Sequence, residues 1–282
     1  MLLLFDIGNT HTHLGLADGR RVVRQADIPT ESWFDGTAAA RIKKFLGGKK
    51  IAGAALCSVV PRATPLVKKL AAQLGAPGTR SAGFKTVHQQ AEPVLGAPVL
   101  ELSPRTIRGV GIDYPKPDSI GPDRLANAVA AKFHFGAPVV VVDFGTAVTF
   151  DVVDAKGNYV GGIIAPGLAA MTDYLHEKTA LLPKIKIREI KSAIGKSTEH
   201  AMLVGAVQGY RGLVRELIGD LKRELRVKKL PVVATGGYAK LIAAKLPEIS
   251  QVAPDLTLEG LRLVWMGKNS TTDKHGFCKD GA

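Results

Sequence analysis

Cysteine is nearly absent from this chain: Cys57 and Cys278 stand far apart, with no second thiol near either. That excludes a disulfide framework or a zinc knuckle and suits a reducing compartment; Cys57, in an apolar stretch, is expected to be a buried thiol. Long apolar runs are missing too. Met1–Phe5 is broken at once by Asp6 and Gly8, without the basic start, apolar stretch and small-residue cleavage site of a secretory signal. No run approaches the ~20 residues of a membrane span. The chain is therefore expected to be soluble, unexported and cytoplasmic. Acid is short relative to base, with 25 Asp and Glu against 38 Lys and Arg and a net charge of +13. A surplus of this kind serves nucleic-acid binding, attraction of acidic substrates, or solubility. The basic residues lie in separate clusters, Arg41–Lys50, Lys184–Lys196 and Lys222–Lys229, with no nucleic-acid module and no interleaved aromatics. They are expected to be solvated faces rather than a nucleic-acid groove.

What is present is a patterned, foldable chain. Of its 282 residues 46% are hydrophobic and 22% charged, enough apolar material for a large core in one or two domains. Leu2–Ile7 is a continuous apolar run, as in a strand buried on both faces. The turn Asp6-Ile7-Gly8-Asn9-Thr10 leads to a second strand, Thr12–Ala17. The Asp18-Gly19 turn leads to a third, Arg21–Ile28. A helix over Thr37–Leu46, a strand over Ile51–Val60 and a helix over Pro65–Leu74, with Leu66, Leu70 and Leu74 as its apolar side, follow.

The middle of the chain repeats this order. Val139–Val142 runs into Asp143-Phe144-Gly145-Thr146, Thr149–Val153 returns, Lys156-Gly157-Asn158 turns, and Tyr159–Ala165 makes the third strand. A long helix over Thr198 to about Leu225, the strand Val232–Thr235 and the turn Gly236-Gly237 complete the second copy. Within that helix the small residues Gly205, Ala206, Gly209 and Gly212 suggest a close-packed core or dimer element. One Asp-x-Gly turn is commonplace, but two, each opening a three-strand meander, mark an internal repeat. The expected architecture is α/β, with duplicated lobes facing across a cleft. Residues 1–117 form the first lobe, 118–270 the second and 271–282 a disordered tail, with Tyr114–Pro117 as connector.

Facing hairpin loops with one carboxylate each suit phosphate chemistry. Gly8 and Gly145 let backbone amides approach phosphate oxygens, and Asn9, Thr10 and Thr146 add neutral donors. Asp6 and Asp143 are candidates to hold magnesium or another cation beside the phosphates. The Thr235-Gly236-Gly237 turn suits close approach of a nucleotide's base or ribose. Gly121-Pro122-Asp123-Arg124 reads as a helix start, with Leu125, Val129 and Phe133 as its buried stripe, and is compatible with a catalytic base at Asp123. His11 and His13 point to one side of a strand, but no third ligand accompanies them. Thr198 or Ser197 fits a helix N-cap.

The ordered set of motifs resembles the type III pantothenate kinases, within the actin-like ATPase superfamily of ribonuclease H-like folds. The resemblance spans Leu3 to about Asn269. It rests on Asp6-Ile7-Gly8-Asn9-Thr10-His11-Thr12, Gly121-Pro122-Asp123-Arg124, Asp143-Phe144-Gly145-Thr146-Ala147-Val148-Thr149, Gly161-Gly162 with Pro166-Gly167, Gly195–Thr198 and Thr235-Gly236-Gly237. It implies ATP-dependent phosphorylation of pantothenate to 4′-phosphopantothenate. Asp6, Ile7, Gly8, Asn9, Thr10, His11, Thr12 and His13, with Thr146, would bind ATP. Asp123 would accept the proton of the substrate hydroxyl. Tyr114, Gly121, Pro122, Asp123, Arg124 and Thr198 would line the pantothenate site, and Asp143 would bind a monovalent cation, K+ or NH4+. Mg2+ would accompany ATP, and the protein would be a homodimer. His11 and His13 depart from the smaller or amide residues of the family loop. Two other readings stay open: a non-catalytic accessory or regulatory protein of the same fold, and a kinase for another small alcohol or polyphosphate.

Overall fold

The computed structural model describes residues 1–74 and 97–269. Cys278 and the tail from residue 271 lie outside the described residues. In the first half, β1 (Leu2–Ile7), β2 (His11–Ala17), β3 (Val22–Pro29), β4 (Gly53–Ser58) and β5 (Val99–Glu101) form one sheet in the order β3-β2-β1-β4-β5. Helices α1 (Ala38–Leu46) and α2 (Thr64–Leu74) belong to this half. The second sheet contains β6 (Gly111–Ile112), β7 (Val139–Phe144), β8 (Ala147–Val153), β9 (Asn158–Pro166), β10 (Val232–Thr235) and β11 (Gln251–Val252), in the order β11-β10-β7-β8-β9-β6. Its helices are α3 (Pro122–Phe135), α4 (Leu168–Lys178), α5 (Thr198–Val204), α6 (Tyr210–Glu224), α7 (Ala239–Ala243) and α8 (Leu256–Asn269).

The repeat holds at the level of register. β1 pairs antiparallel with β2 and parallel with β4, just as β7 pairs with β8 and β10. In each central strand the carboxylate one residue before the end is the only partly open position of an otherwise buried run. Continuous burial is what a central strand covered on both faces requires, and it accounts for the run of valines in β7.

Two layers, α3 and α8, fill the space between the sheets. One apolar cluster joins Leu2, Leu4 and Cys57 of the first sheet to Leu125, Val129, Leu261 and Trp265 of the helices and Val139 and Val141 of the second sheet. Separate clusters cover the outer faces, around Phe5, Ile42 and Val67 in one lobe and around Phe150, Tyr210 and Ile242 in the other. The chain passes to the second sheet at β6, ahead of Tyr114–Pro117, where Gly111 and Ile112 pair with Asn158 and Tyr159. No helix among the described residues is long and apolar enough to cross a membrane.

Two helical expectations need correction, and a third gains a detail. Leu66 is 41% exposed, and α2 buries Val67 and Ala71, a face rotated by one residue, with Leu70 and Leu74 at its margin. Phe133 is 56% exposed: α3 is covered on several sides along Leu125–Ala131, but in its last turn Phe133 faces solvent and packs edge-on against His134. The helix expected from Thr198 to about Leu225 is present over Thr198–Glu224, with one wide π-type turn inside it at Gly205–Gly209. Ala206 is buried, but a side chain at Gly205, Gly209 or Gly212 would meet nothing within 4 Å, so these three glycines do not serve packing inside the chain.

Candidate active site

Asp6 and Asp143 occupy equivalent places in the repeat. Asp6 pairs with His13 across β2 and with Cys57 across β4; Asp143 pairs with Thr149 and with Thr235. Each hairpin loop is closed by a backbone bond from its glycine, Gly8 N to His11 O and Gly145 N to Ala147 O, both at 3.0 Å. Asn9, Thr10 and His11 stand exposed at the first tip and Thr146 at the second. The first loop is braced from behind, since Thr30 donates its hydroxyl to Gly8 O (2.7 Å) and its amide to Thr10 O (3.0 Å). Ile7 and Thr12 are buried, and Thr12 Oγ1 accepts from Trp33 Nε1, so these two offer a ligand their backbone only. His13 Nδ1 lies 2.7 Å from Asp27 Oδ1. Burial opposes its charge, but Asp6 and Asp27 outweigh that and hold its pKa above the ordinary value.

Asp123 sits in the first turn of α3, where Pro122 fits the helix start and the carboxylate faces the positive end of the helix dipole. Its Oδ1 accepts from Arg124 N at 2.9 Å. Burial raises its pKa, partly offset by Arg124. Its charge in turn raises Asp6, Asp143 and Asp151, so carboxylates from β1, α3, β7 and β8 share one poorly hydrated region. Burial, reinforced by these neighbours, pushes Asp6 to about 7 and Asp143 to about 6. Cys57 is fully buried and donates its thiol to Asp6 Oδ1 at 3.3 Å. The thiol's own pKa is pushed up, first by burial and then by Asp6.

The second hairpin carboxylate is held from two sides. Asn127 Nδ2 donates to Asp143 Oδ2, while Asn127 Oδ1 accepts from Thr257 Oγ1 at 2.8 Å. Gly236 has φ +88°, and a Cβ there would stand 2.5 Å from Asp143 Oδ1 and 2.7 Å from the Phe144 backbone, so only glycine lets this turn lie against β7. Arg124 reaches the other way, to Asp151 on β8, and the ring of Tyr114 lies across Gly161 and edge-on to Tyr159, 6.1 Å between centroids. Thr198 is exposed at the first position of α5; the cap is Ser197, whose hydroxyl accepts from His200 N. Among the described residues no hydrogen bond or ion pair joins Thr198 to Asp123, Arg124 or Tyr114, and no cluster of three or more His, Cys, Asp or Glu forms a metal-binding group.

Sequence reasoning did not single out Asn127, Asp151, Tyr159 or Thr257. Two of them carried a signal. Asn127 lies four residues after Asp123 and so shares its helix face. Asp151 is the lone acid in the apolar strand Ala147–Val153. Chemically, the site offers loop amides for phosphate oxygens, hard carboxylate donors for cations, and a carboxylate with raised pKa facing the same region.

A family model described as type III pantothenate kinase matches residues 2–220. A type III pantothenate kinase of Akkermansia muciniphila is 44% identical, over 93% of this chain and 96% of its own. Those of Methylacidiphilum infernorum and Streptomyces coelicolor are 42% and 37% identical, over 93% and 94% of this chain and 87% and 97% of theirs. Among solved structures, a candidate 2-dehydro-3-deoxygalactonokinase of Sinorhizobium meliloti aligns over 99% of this chain and all of its own, with TM-score 0.53 and 13% identity. A Campylobacter jejuni protein assigned to the Baf family of transcriptional activators aligns over 94% of this chain and 98% of its own, with TM-score 0.53 and 16% identity. At such identities the likeness concerns the fold alone, which is that of duplicated actin-like lobes. This chain belongs to the type III pantothenate kinase family.

Proposed function

We propose that this protein transfers the terminal phosphoryl group of ATP to the primary hydroxyl of pantothenate, giving 4′-phosphopantothenate, the first step of coenzyme A biosynthesis. The observation that carries the reading is the convergence of Asp123, at the start of α3, with the carboxylates of both hairpin loops. Phosphoryl transfer asks a protein chiefly for positioning, charge neutralisation and a group to take the hydroxyl proton. Residues Asp6 to His13, with Thr146, hold the phosphates of ATP, largely through backbone amides. Asp123 accepts the proton, and burial, which raises its pKa, makes its carboxylate a stronger base than one in water. Tyr114, Gly121, Pro122, Arg124 and Thr198 line the pantothenate site, with Arg124 facing the substrate's carboxylate.

A kinase of this family uses ATP with a divalent metal, which we take to be Mg2+, and a monovalent cation, K+ or NH4+. The residues fit such ions. Asp6 and Asp143 are hard oxygen donors, pushed up in pKa first by burial and then by neighbouring carboxylates. Asp143 is the residue to hold the monovalent ion, and bound cations there neutralise charge at the phosphates. Ile164, Tyr174, Leu181 and Ile194 expose 60–89% of their surface on β9, α4 and the segment before α5, and the glycine face of the π-type turn is open. These features support a homodimer, and the scarcity of cysteine supports a cytoplasmic site. The acids that a non-catalytic relative would be free to lose are all in place, so the accessory reading is not favoured.

A coupled assay with ATP, magnesium and pantothenate, run with and without potassium, tests the reading. Phosphorylation of pantothenate stimulated by potassium is expected. Absence of turnover, or preference for another alcohol, overturns it.

A further inference from the structure

Asp151 is fully buried on β8, in a strand otherwise made of apolar and threonine side chains. A buried acid costs stability unless its partners are complete, and an apolar side chain of similar volume is commonly no worse. Its partners are not complete. Oδ1 accepts from Arg124 Nε at 2.5 Å, whereas Oδ2 has no hydrogen-bond partner. Packing therefore gives no reason for an acid here, and its one contact, with Arg124, does.

The surroundings of that arginine point the same way. Besides Asp151, Arg124 Nη2 donates to Phe150 O at 2.9 Å, and the guanidinium lies over the face of Tyr159, 5.7 Å from the ring centre. Gly162 leaves room for this arrangement, because a Cβ there would stand 1.6 Å from Phe150 O and 2.8 Å from Arg124 Nη2. Of the five guanidinium N–H groups two are engaged, and the rest lie on Nη1 and Nη2. Those two nitrogens form the end-on fork that pairs with both oxygens of a carboxylate.

We infer that Asp151 is a positioning residue for substrate recognition: with Phe150 O and the Tyr159 ring it locks Arg124 so that its free fork is presented to the carboxylate of the acceptor substrate. The inference rests on the proposed role of Arg124 and adds what fixes it. Asp151 does not touch the substrate. Its contribution is geometric, and an uncharged acceptor at the same place should largely replace it.

The test measures steady-state kinetics of full-length Asp151→Ala, Asp151→Asn, Arg124→Ala and the Asp151→Ala/Arg124→Ala double variant. Losing a fixed charge-assisted pair should raise the KM for pantothenate about 10- to 100-fold in Asp151→Ala. The KM for ATP should move less than about 2-fold, a split that general loosening of the fold would not give. Asp151→Asn keeps an acceptor for Nε and should recover most of the pantothenate affinity. In the Arg124→Ala background, Asp151→Ala should cost little more in kcat/KM, because its effect acts through Arg124. Fully additive losses, or an Asn variant as impaired as the Ala variant, overturn the inference. Should Asp151→Ala fail to fold, Asp151→Asn and Tyr159→Leu decide: Tyr159→Leu must raise the pantothenate KM in preference to the ATP KM. If Arg124→Ala itself leaves the pantothenate KM unaltered, the role of Arg124 fails. If only the Asp151 variants do so, the lock fails and that role stands.

Discussion

Asn127 donates its side-chain amide to Asp143 Oδ2 at 3.2 Å and is itself oriented by the Thr257 hydroxyl. The two residues come from α3 and β7, and Thr257 from α8, which also packs on the first sheet. One oxygen of Asp143 is thus fixed by a donor. Its Oδ1 faces the Gly236 turn. Supporting partners of this kind commonly alter metal affinity by about 10- to 100-fold. Asn127→Leu and Thr257→Val should therefore weaken potassium activation by roughly ten-fold, while Thr257→Ser keeps it. Thermal stabilisation by added potassium should fall in parallel, and equal stabilisation in parent and variants would show that Asp143 needs no such support.

Asp123 can be separated from the residues that only bind. A general base typically contributes about 10²- to 10⁴-fold in rate. Asp123→Asn should lower kcat within that range and leave the melting temperature near that of the parent. Turnover within a few-fold of the parent removes Asp123 as the proton acceptor.

The two hairpin carboxylates should part company under titration with cations. Asp6→Asn is expected to raise the magnesium-ATP requirement, since a neutral amide replaces a hard anionic ligand poorly. Asp143→Asn should chiefly abolish activation by potassium. Matched potassium and magnesium titrations on both variants check the division, and normal potassium activation in Asp143→Asn would sink it.

How much of this was legible in the sequence follows from distance along the chain. The central strands declared themselves because a strand covered on both faces must be largely apolar, and Leu2–Phe5 and Val139–Val142 are wholly so. The hairpin acids were visible because two Asp-x-Gly turns recur in equivalent places. Helix faces were less secure: the 66/70/74 and 67/71 stripes of α2 differ by one residue, and only the sheet beneath selects the second. Thr257 and Asn127 are separated by 130 positions, and neither stands out locally. Asp151 could be seen as an odd acid in an apolar strand, but not as the partner of Arg124 until β8 was laid beside α3.

Asp151 also predicts a pH dependence. Burial, opposed by Arg124, pushes its carboxyl from the ordinary 3.8 to about 7. Between those values the folded chain keeps a proton that the unfolded chain releases. The stability attached to this group is full below about pH 4 and is lost as pH rises toward 7. Asp151→Asn has no proton to lose. Its melting temperature relative to the parent should therefore rise between pH 5 and pH 7.5, with each 1 kcal/mol worth about 2–4 °C in a chain of this size. A difference that is flat with pH, or that falls, would mean that Arg124 keeps Asp151 ionised throughout.

The charge surplus makes a last prediction. Lys222, Arg223, Arg226 and Lys228 line one surface depression with Gly219 and Val227. Arg223 there is already paired with Glu216 and Asp220, and Arg188 and Arg215 elsewhere are paired with Glu199 and Glu248. These arginines are interleaved with acid, which suits solubility and attraction of anionic substrates better than tracking of a phosphate backbone. Binding to duplex DNA should then be weak, indifferent to sequence and steeply lost with salt, because it would rest on counterion release alone. Lys222→Glu/Lys228→Glu should lower the salt slope by about 2, roughly one unit per phosphate contact removed. The same double variant should retain parental kinase activity, and saturating DNA should not inhibit the parent. Fluorescence titrations of a labelled duplex across salt concentrations measure the slope. Tight binding at physiological salt that prefers one sequence would instead give the basic face a partner and restore the regulatory reading beside the kinase.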